Sequence, residues 1–360
     1  TPNYALTSFQ NASRMDFNPV VKEEASFNAA KVLIEIGNHN EALKELQNFS
    51  ARYPSSKYGE EVDQLIADTY AKANNNAAAI THIEKLKKRT PEINATYQRL
   101  TYNQAVADFN RQAFQNAVIN LDKSLKNPMD ESLNIAAQYL KAESFAGLGQ
   151  LERAVPIYTQ LSKDPKTGVY GQKSLYALGY MHYNQKEYSK ALGYFRDFLA
   201  RPEGIDSQMI EDATTRLADC YLAAKNYTEA MKAYERVSAS GKVDNDYALF
   251  QKGRTMVYMN REDQAKAQFE QLIRQYPKSS YVDDALFQIA DIDFQKEDYS
   301  PAIKGFTRLI NEQPKSYMIP AGLLRRAQSY YNIQVYEHAI TDFKRILSEF
   351  PSSPSANSAL

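Results

Sequence analysis

Four histidines and one cysteine are the side chains of this chain best suited to bind a metal or to act as nucleophile and base. His39, His82, His182 and His338 lie in separate stretches and lack the short spacing that brings imidazoles onto one zinc ion. Cys220 is alone, which excludes an intrachain disulfide and a cysteine-based zinc site. It stands in Leu217-Ala218-Asp219-Cys220-Tyr221, a helical pattern where a thiol reads as a small buried apolar group. No phosphate-cradling glycine loop, nucleophile elbow or zinc-protease helix motif occurs. Gly147-Leu148-Gly149 is accounted for by a turn between helices. No catalytic constellation is present, so the chain is expected to be non-catalytic, with no cofactor and no metal.

Charge narrows the partners. Forty-three basic residues balance 43 acidic ones, so no global field draws the chain to nucleic acid or anionic lipid. The basic run Lys85-Leu86-Lys87-Lys88-Arg89 precedes Pro91 and reads as a helix C-terminus, where cations complement the dipole. Flanking aromatics for base stacking are missing there, so no nucleic-acid partner is expected. No apolar run reaches the ~18–20 residues that span a bilayer, so no membrane insertion by this segment is expected. Thr1-Pro2-Asn3-Tyr4 has neither the basic nor the apolar region of a signal peptide.

What remains for chemistry is an unusual supply of rings, 26 Tyr and 16 Phe without a Trp, and a periodicity that places them. Alanines recur at Ala5, Ala42, Ala79, Ala117, Ala154, Ala191, Ala230, Ala265, Ala302 and Ala339, spaced 37, 37, 38, 37, 37, 39, 35, 37 and 37. Self-similarity at this period marks a stacked array in which each unit touches its neighbours.

The unit from Asp283 to Pro314 shows how it works. Asp283 and Asp284 suit the positive end of a helix, followed by Leu286, Ile289, Ala290 and Phe294 near helical spacing. Lys296-Glu297-Asp298 is a polar turn, and Tyr299 opens a second helix with Ala302, Ile303, Phe306, Leu309 and Ile310 on one face. Pro314 stops it. Ala290 and Ala302 mark the expected tight crossing of the two helices, and Phe306 and Leu309 are expected to fill space against the next unit. Small first-helix residues recur from Ala30 to Ala327, and large second-helix residues from Leu46 to Phe343.

The pattern resembles the tetratricopeptide repeat family over essentially the whole chain. The residues that carry the likeness best are Leu178-Gly179 with Tyr188 and Ala191, Leu217-Ala218 with Tyr221 and Ala230, and Ala327 with Tyr330 and Ala339. The family's early Trp is absent, and its usual period of about 34 is exceeded here. The junctions Tyr53-Pro54-Ser55-Ser56-Lys57-Tyr58 and Tyr276-Pro277-Lys278-Ser279-Ser280-Tyr281 are similar to the outer-membrane assembly lipoproteins and Tol–Pal-associated periplasmic proteins of Gram-negative bacteria. The resemblance implies an all-α, right-handed superhelical solenoid of antiparallel helix pairs. It divides into a partial repeat at 1–17 (a second helix only), nine repeats over 18–351, and the start of a further repeat or a disordered end at 352–360. Both ends look cut through repeats, so a segment of a longer protein is expected. Spacings of 39 and then 35 also suggest a bend between Ala200 and Asp246.

In this family the first helices line an inner groove. One turn into them stand nine residues, six of them aromatic: Phe27, Tyr102, Tyr139, Tyr176, Phe250 and Phe287. A turn further come Tyr180 and Arg254 among carboxylates that include Asp219, and a third row holds Tyr183 and Tyr331. The partner-binding residues expected are therefore Tyr102, Tyr139, Tyr176, Tyr180, Tyr183, Phe250, Arg254, Phe287 and Tyr331, centred on Tyr176, Tyr180 and Tyr183. Alternatively, much of this stripe packs between neighbouring first helices. The inward bases Lys31, Lys173 and Arg254 are far apart, which argues against a clamp for a chaperone's C-terminal tail.

The function expected is a non-catalytic scaffold holding a protein or peptide partner. The resemblance suggests a bacterial envelope assembly, secretion or cell-wall complex, in the periplasm or at the outer membrane. A substrate-selecting segment of a larger enzyme and a glycan-binding module are the alternatives.

Overall fold

The computed structural model describes residues 2–16, 18–73, 75–240 and 245–359, and every regular element among them is helical. Two units divide the chain. In residues Thr1–Ser174, α1 (Pro2–Ala12) precedes the pairs α2 (Pro19–Glu35) with α3 (His39–Arg52), α4 (Gly59–Lys72) with α5 (Asn76–Lys85), α6 (Pro91–Asn110) with α7 (Phe114–Leu125), and α8 (Glu131–Gly147) with α9 (Leu151–Lys163). A 3-10 turn, Pro165–Thr167, leads into α10 (Val169–Asn184), within which the second unit begins at Leu175. There follow α11 (Tyr188–Leu199), α12 (Ser207–Ala223) with α13 (Tyr227–Ser240), and α14 (Asn245–Tyr258) with α15 (Glu262–Gln275). The last are α16 (Val282–Gln295) with α17 (Tyr299–Glu312), α18 (Ile319–Asn332) with α19 (Tyr336–Glu349), and the short α20 (Pro354–Ala359).

The small–large pairing read from the sequence is the core of each pair. Ala30, Ala67, Ala105, Ala142, Ala218, Ala290 and Ala327 have no exposed surface, and Leu46, Ile83, Leu121, Phe195, Tyr234, Phe269 and Phe306 are equally sealed. Each small residue stands 16 before its large partner, from Ala30 and Leu46 to Ala327 and Phe343. Gly179 and Gly253 show why the position must be small. A Cβ would come 2.8 Å from the Phe195 ring at the first and 2.4 Å from the Phe269 ring at the second. Full burial of such a ring stabilises by about 1.5–3 kcal/mol.

Two expectations are refined. Ala290 packs with Ala302 as expected, and Gly305 also brings α17 tight against α16, since a Cβ on Gly305 would lie 2.7 Å from that of Ala290. Phe306 packs mainly inside its own pair, with Ala290, Ala302, Phe287 and Phe294. Leu309 does serve the stack, joining the cluster of Val282, Ala285 and Leu286 and meeting Gly322 of α18.

In eight of the pairs the turn is closed by one left-handed residue. Gly37, Gln112, Gly149, Lys186, Lys225, Asn260, Glu297 and Gln334 all have φ between 53° and 79°. At Glu297 the amide donates to Phe294 O (3.0 Å) and the next amide, Asp298 N, to Asp293 O (2.9 Å), which satisfies carbonyls that the helix end leaves open.

Three junctions between repeats use a serine. Ser56, Ser279 and Ser316 each accept from the amide two residues on, at 3.0, 3.1 and 3.0 Å. Each also donates to an acid 33 residues earlier: Glu23 at 2.5 Å, Asp246 at 2.6 Å and Asp283 at 2.5 Å. The same hydroxyl therefore holds the residue just before one first helix and ties it to the first helix before.

The basic run departs from its expected place. α5 ends at Lys85, and Arg89 lies beyond it, donating from Nε to Ile83 O (3.1 Å) with its guanidinium 4.7 Å from the Tyr97 ring centre. Pro91 begins α6, with Thr90 as its cap, instead of stopping α5. Gly147 is the last residue of α8 and not a turn residue; a Cβ there would meet the Phe114 ring at 2.7 Å. Of the segment expected to carry a bend, residues 241–244 lie outside the described residues; on its two sides α11 packs on α12, α12 on α13 and α13 on α14.

Candidate protein-interaction surface

The rows of rings along the first helices are tied down by carboxylates. In residues 175–360 the Tyr176 hydroxyl donates to Asp212 Oδ2 (2.8 Å), and Tyr180 donates to the same oxygen. Tyr183 donates to Asp219 Oδ2 (2.9 Å), where Arg216 Nη1 also arrives at 2.9 Å. Asp219 Oδ1 accepts from Tyr234 (2.6 Å) and Tyr247 (2.8 Å). One carboxylate, itself 8% exposed, thus gathers side chains from α10, α12, α13 and α14. Burial and the nearby carboxylates raise the phenol pKa values: Tyr180 is pushed up to about 12, and Tyr176 and Tyr183 are raised as well. All three stay protonated donors at neutral pH.

Past this network the surface opens into a pocket of about 460 Å³. Its walls include Tyr183, Tyr227, Tyr247, Tyr258, Lys225 and Arg254. Tyr227 and Tyr258 stack with ring centres 5.6 Å apart and planes at 19°. Arg254 donates to Gln251 Oε1 (3.2 Å) and to the Tyr258 hydroxyl (3.0 Å). Tyr227 and Tyr258 sit at turns of the helix pairs, where a search confined to the inward rows of first helices cannot find them. Asp212, Arg216 and Asp219, at i, i+4 and i+7 on α12, carried a usable signal, because that spacing puts them on one face.

The other expected residues fall apart from this group. In residues 1–174, Tyr139 packs at 5.3 Å on Tyr170 and at 6.0 Å on Tyr158, whose hydroxyl donates to Glu143 (2.5 Å). Burial, with the Tyr170 hydroxyl beside it, raises the pKa of Tyr102. Phe250 is a correction: at 7% exposure it stacks on Tyr281 (5.3 Å, 17°) and belongs to the core. Tyr281 comes from the next junction and covers it, as Tyr58 covers Phe27 at 4.4 Å. Phe287 is half-buried against Phe306 (5.5 Å). Tyr331 is 60% exposed and beside a separate pocket with Phe294 and Arg325, the latter paired to Asp291 at 3.1 Å.

The one cysteine, Cys220, is buried. Burial pushes the Cys220 thiol up to about 12, so it holds its proton. No group of His, Cys, Asp and Glu among the described residues converges to hold a metal ion.

Comparison with protein families gives the same repeat that the geometry shows. Tetratricopeptide-repeat families match residues 14–134 and, as two consecutive units, 284–316 and 321–353. The chain is a tetratricopeptide-repeat protein. A family described as outer membrane lipoprotein matches residues 139–294, the stretch that contains the Asp212 and Asp219 network. Among solved structures, the C-terminal part of a TPR repeat-containing protein from Cytophaga hutchinsonii aligns with a TM-score of 0.52 at 19% identity, over 72% of this chain and 99% of that one. BtubC from P. vanneervenii aligns at 0.44 with 13% identity, over 61% of this chain and 93% of its own. These are likenesses of fold. Comparison with the curated proteins gives no match. The tetratricopeptide fold supports a protein-interaction role, and no described helix is long and apolar enough to cross a membrane.

Proposed function

We propose that this tetratricopeptide-repeat protein is a non-catalytic scaffold that holds a peptide or partner helix against the first-helix face of residues 175–360, as part of an assembly at the bacterial outer membrane. The observation that carries the reading is the pocket of about 460 Å³ walled by Tyr183, Tyr227, Tyr247 and Tyr258. Tyrosine offers a large apolar face and a polar tip at small entropic cost, which is why it is enriched where proteins meet. Asp219 fixes Tyr183 and Tyr247 by their hydroxyls, so their rings present a settled surface. Tyr102 and Tyr139, beside Tyr170, form a second row of the same kind within residues 1–174. The envelope placement is supported by the outer membrane lipoprotein match alone.

The test is photo-crosslinking in native cells. A photoreactive phenylalanine replaces Tyr258 (48% exposed) or, within residues 1–174, Ile119 (47% exposed). We expect a discrete protein adduct from position 258, lost when Tyr227 on the facing ring is changed to Ala, and none from position 119. An adduct equally strong from both positions, or none from 258, defeats the site. Recovery of the 258 adduct in a soluble cytosolic fraction defeats the envelope placement.

A further inference from the structure

We infer that the Tyr227–Tyr258 pocket binds a carboxylate: the side chain of an aspartate or glutamate, next to an aromatic residue, in an extended acidic peptide. This rests on the scaffold reading above and specifies its ligand. The argument is a balance of charge. Asp219 already receives four hydrogen bonds, one of them from Arg216, so its capacity to accept is filled. Arg216 is committed to Asp219 (2.9 Å) and Asp212 (3.5 Å). Elsewhere on the first helices of this unit Arg325 pairs with Asp291 (3.1 Å) and Arg326 with Asp342 (2.7 Å).

Arg254 differs from all of these. Its contacts, Gln251 and the Tyr258 hydroxyl, are neutral acceptors, and no carboxylate of the described residues lies within 4.0 Å of it. The acid that acts on it from further off, Asp284, accepts instead from Tyr317 at 2.6 Å. Lys225, at the left-handed turn position, adds a second exposed positive charge without an ion pair among the described residues. The pocket therefore keeps a positive charge that the fold does not neutralise, beside a stacked pair of rings. A guanidinium matches a carboxylate by a two-pronged hydrogen bond, and the ring faces suit an aromatic neighbour. A basic peptide meets like charge at both Lys225 and Arg254 and is rejected.

The test uses fluorescence anisotropy of the whole chain with three labelled probes: a nonapeptide of alternating Asp and Tyr, its Asn–Tyr counterpart and its Lys–Tyr counterpart. We expect the acidic probe to bind about tenfold tighter than the amide probe, which is about 1.4 kcal/mol, and the basic probe not at all. Arg254→Gln should abolish the acid-over-amide preference, and Arg254→Lys should restore part of it, with circular dichroism confirming that both variants are folded. Equal affinity for acid and amide, or an undiminished preference in Arg254→Gln, overturns the assignment. If no probe binds while the position-258 crosslink persists, the acidic ligand is wrong and the scaffold reading stands. If both fail, both readings fall.

Discussion

Asp219→Asn tests how the tyrosine face of residues 175–360 is held. Asp219 Oδ1 serves Tyr234 and Tyr247, and Oδ2 serves Tyr183 and Arg216, at 2.6 to 2.9 Å. An amide has one acceptor oxygen and a donor group in place of the second. Arg216 can only donate, whereas tyrosine hydroxyls can turn and accept. The substituted amide therefore keeps its oxygen toward Arg216 and Tyr183 and points its NH2 at Tyr234 and Tyr247. The three tyrosine contacts then drop from charge-assisted, about 1.5–3 kcal/mol, to neutral, about 0.5–1.5 kcal/mol, while Arg216 keeps a charged donor but loses its ion pair. Three losses of about 1 kcal/mol each and the lost ion pair, offset in part by no longer burying a carboxylate, give a net destabilisation of about 2–4 kcal/mol. Stacked repeats need not unfold as one, so the readout is hydrogen exchange resolved by helix, not one midpoint. Protection in α12–α14 should fall by a factor of about 30 or more for a loss of 2 kcal/mol, with α2–α5 unchanged. A variant as protected as the parent, or a loss spread evenly over residues 1–174, would refute the network as a local tie.

Three further outcomes follow from the geometry. Tyr97 and Tyr180 have folded pKa values raised to about 12, against about 10 in an unfolded chain. A raised folded pKa means that their stabilisation is complete below about pH 10 and is lost as the pH climbs through about 12. Phenolate absorbance should therefore lag for these rings until helicity falls, and titration of every tyrosine together near pH 10 with helicity intact would contradict it. Gly305→Ala should destabilise α16–α17 by about 1–2 kcal/mol: overpacking costs about 1–3 kcal/mol and helix propensity returns at most about 1 kcal/mol. The clash is 2.7 Å to Ala290 Cβ and 3.1 Å to its Cα, which no side-chain rotation relieves, so unchanged exchange in these helices would be a failure. Ser316→Ala should cost about 1 kcal/mol by removing the ties to Asp283 and Met318, whereas Ser353→Ala should cost nothing in thermal denaturation. Ser353 occupies the matching place, but the residue 33 before it is Pro320 and not an acid, and its buried hydroxyl has no partner.

The array was legible because its core is written in residue size. A small side chain and a large one recur 16 apart in every pair, and the spacings of 39 and 35 therefore arise between pairs and not within them. Gly305 escaped notice because a glycine inside a helix carries no signal of its own; only the position of Ala290 makes it necessary. The rows of first-helix rings were found, but sequence spacing alone cannot say what covers a ring. Phe250 and Phe27 are covered by Tyr281 and Tyr58, which arrive from junctions and not from the rows themselves. Tyr227 and Tyr258 meet across a turn and the end of a helix, a pairing set by how the two stack and by no fixed separation.

The two uses of tyrosine in residues 175–360 bear on each other. A ring held by packing alone can turn away, so fixing it on binding costs conformational entropy. Tyr183 and Tyr247 have already met that cost, because Asp219 holds both hydroxyls while both rings face the pocket. Arg254 is likewise set in place by Gln251 and Tyr258 without its charge being spent. In the proposed site the fold thus fixes the apolar walls through a saturated carboxylate and leaves the neighbouring cation unsaturated. Exchanging those roles, with Asp219 free and Arg254 paired, would give a pocket of the same shape that prefers a basic ligand. The preference for acid over amide at Arg254 therefore measures the recognition itself, while Asp219→Asn measures how firmly the surface that carries it is built.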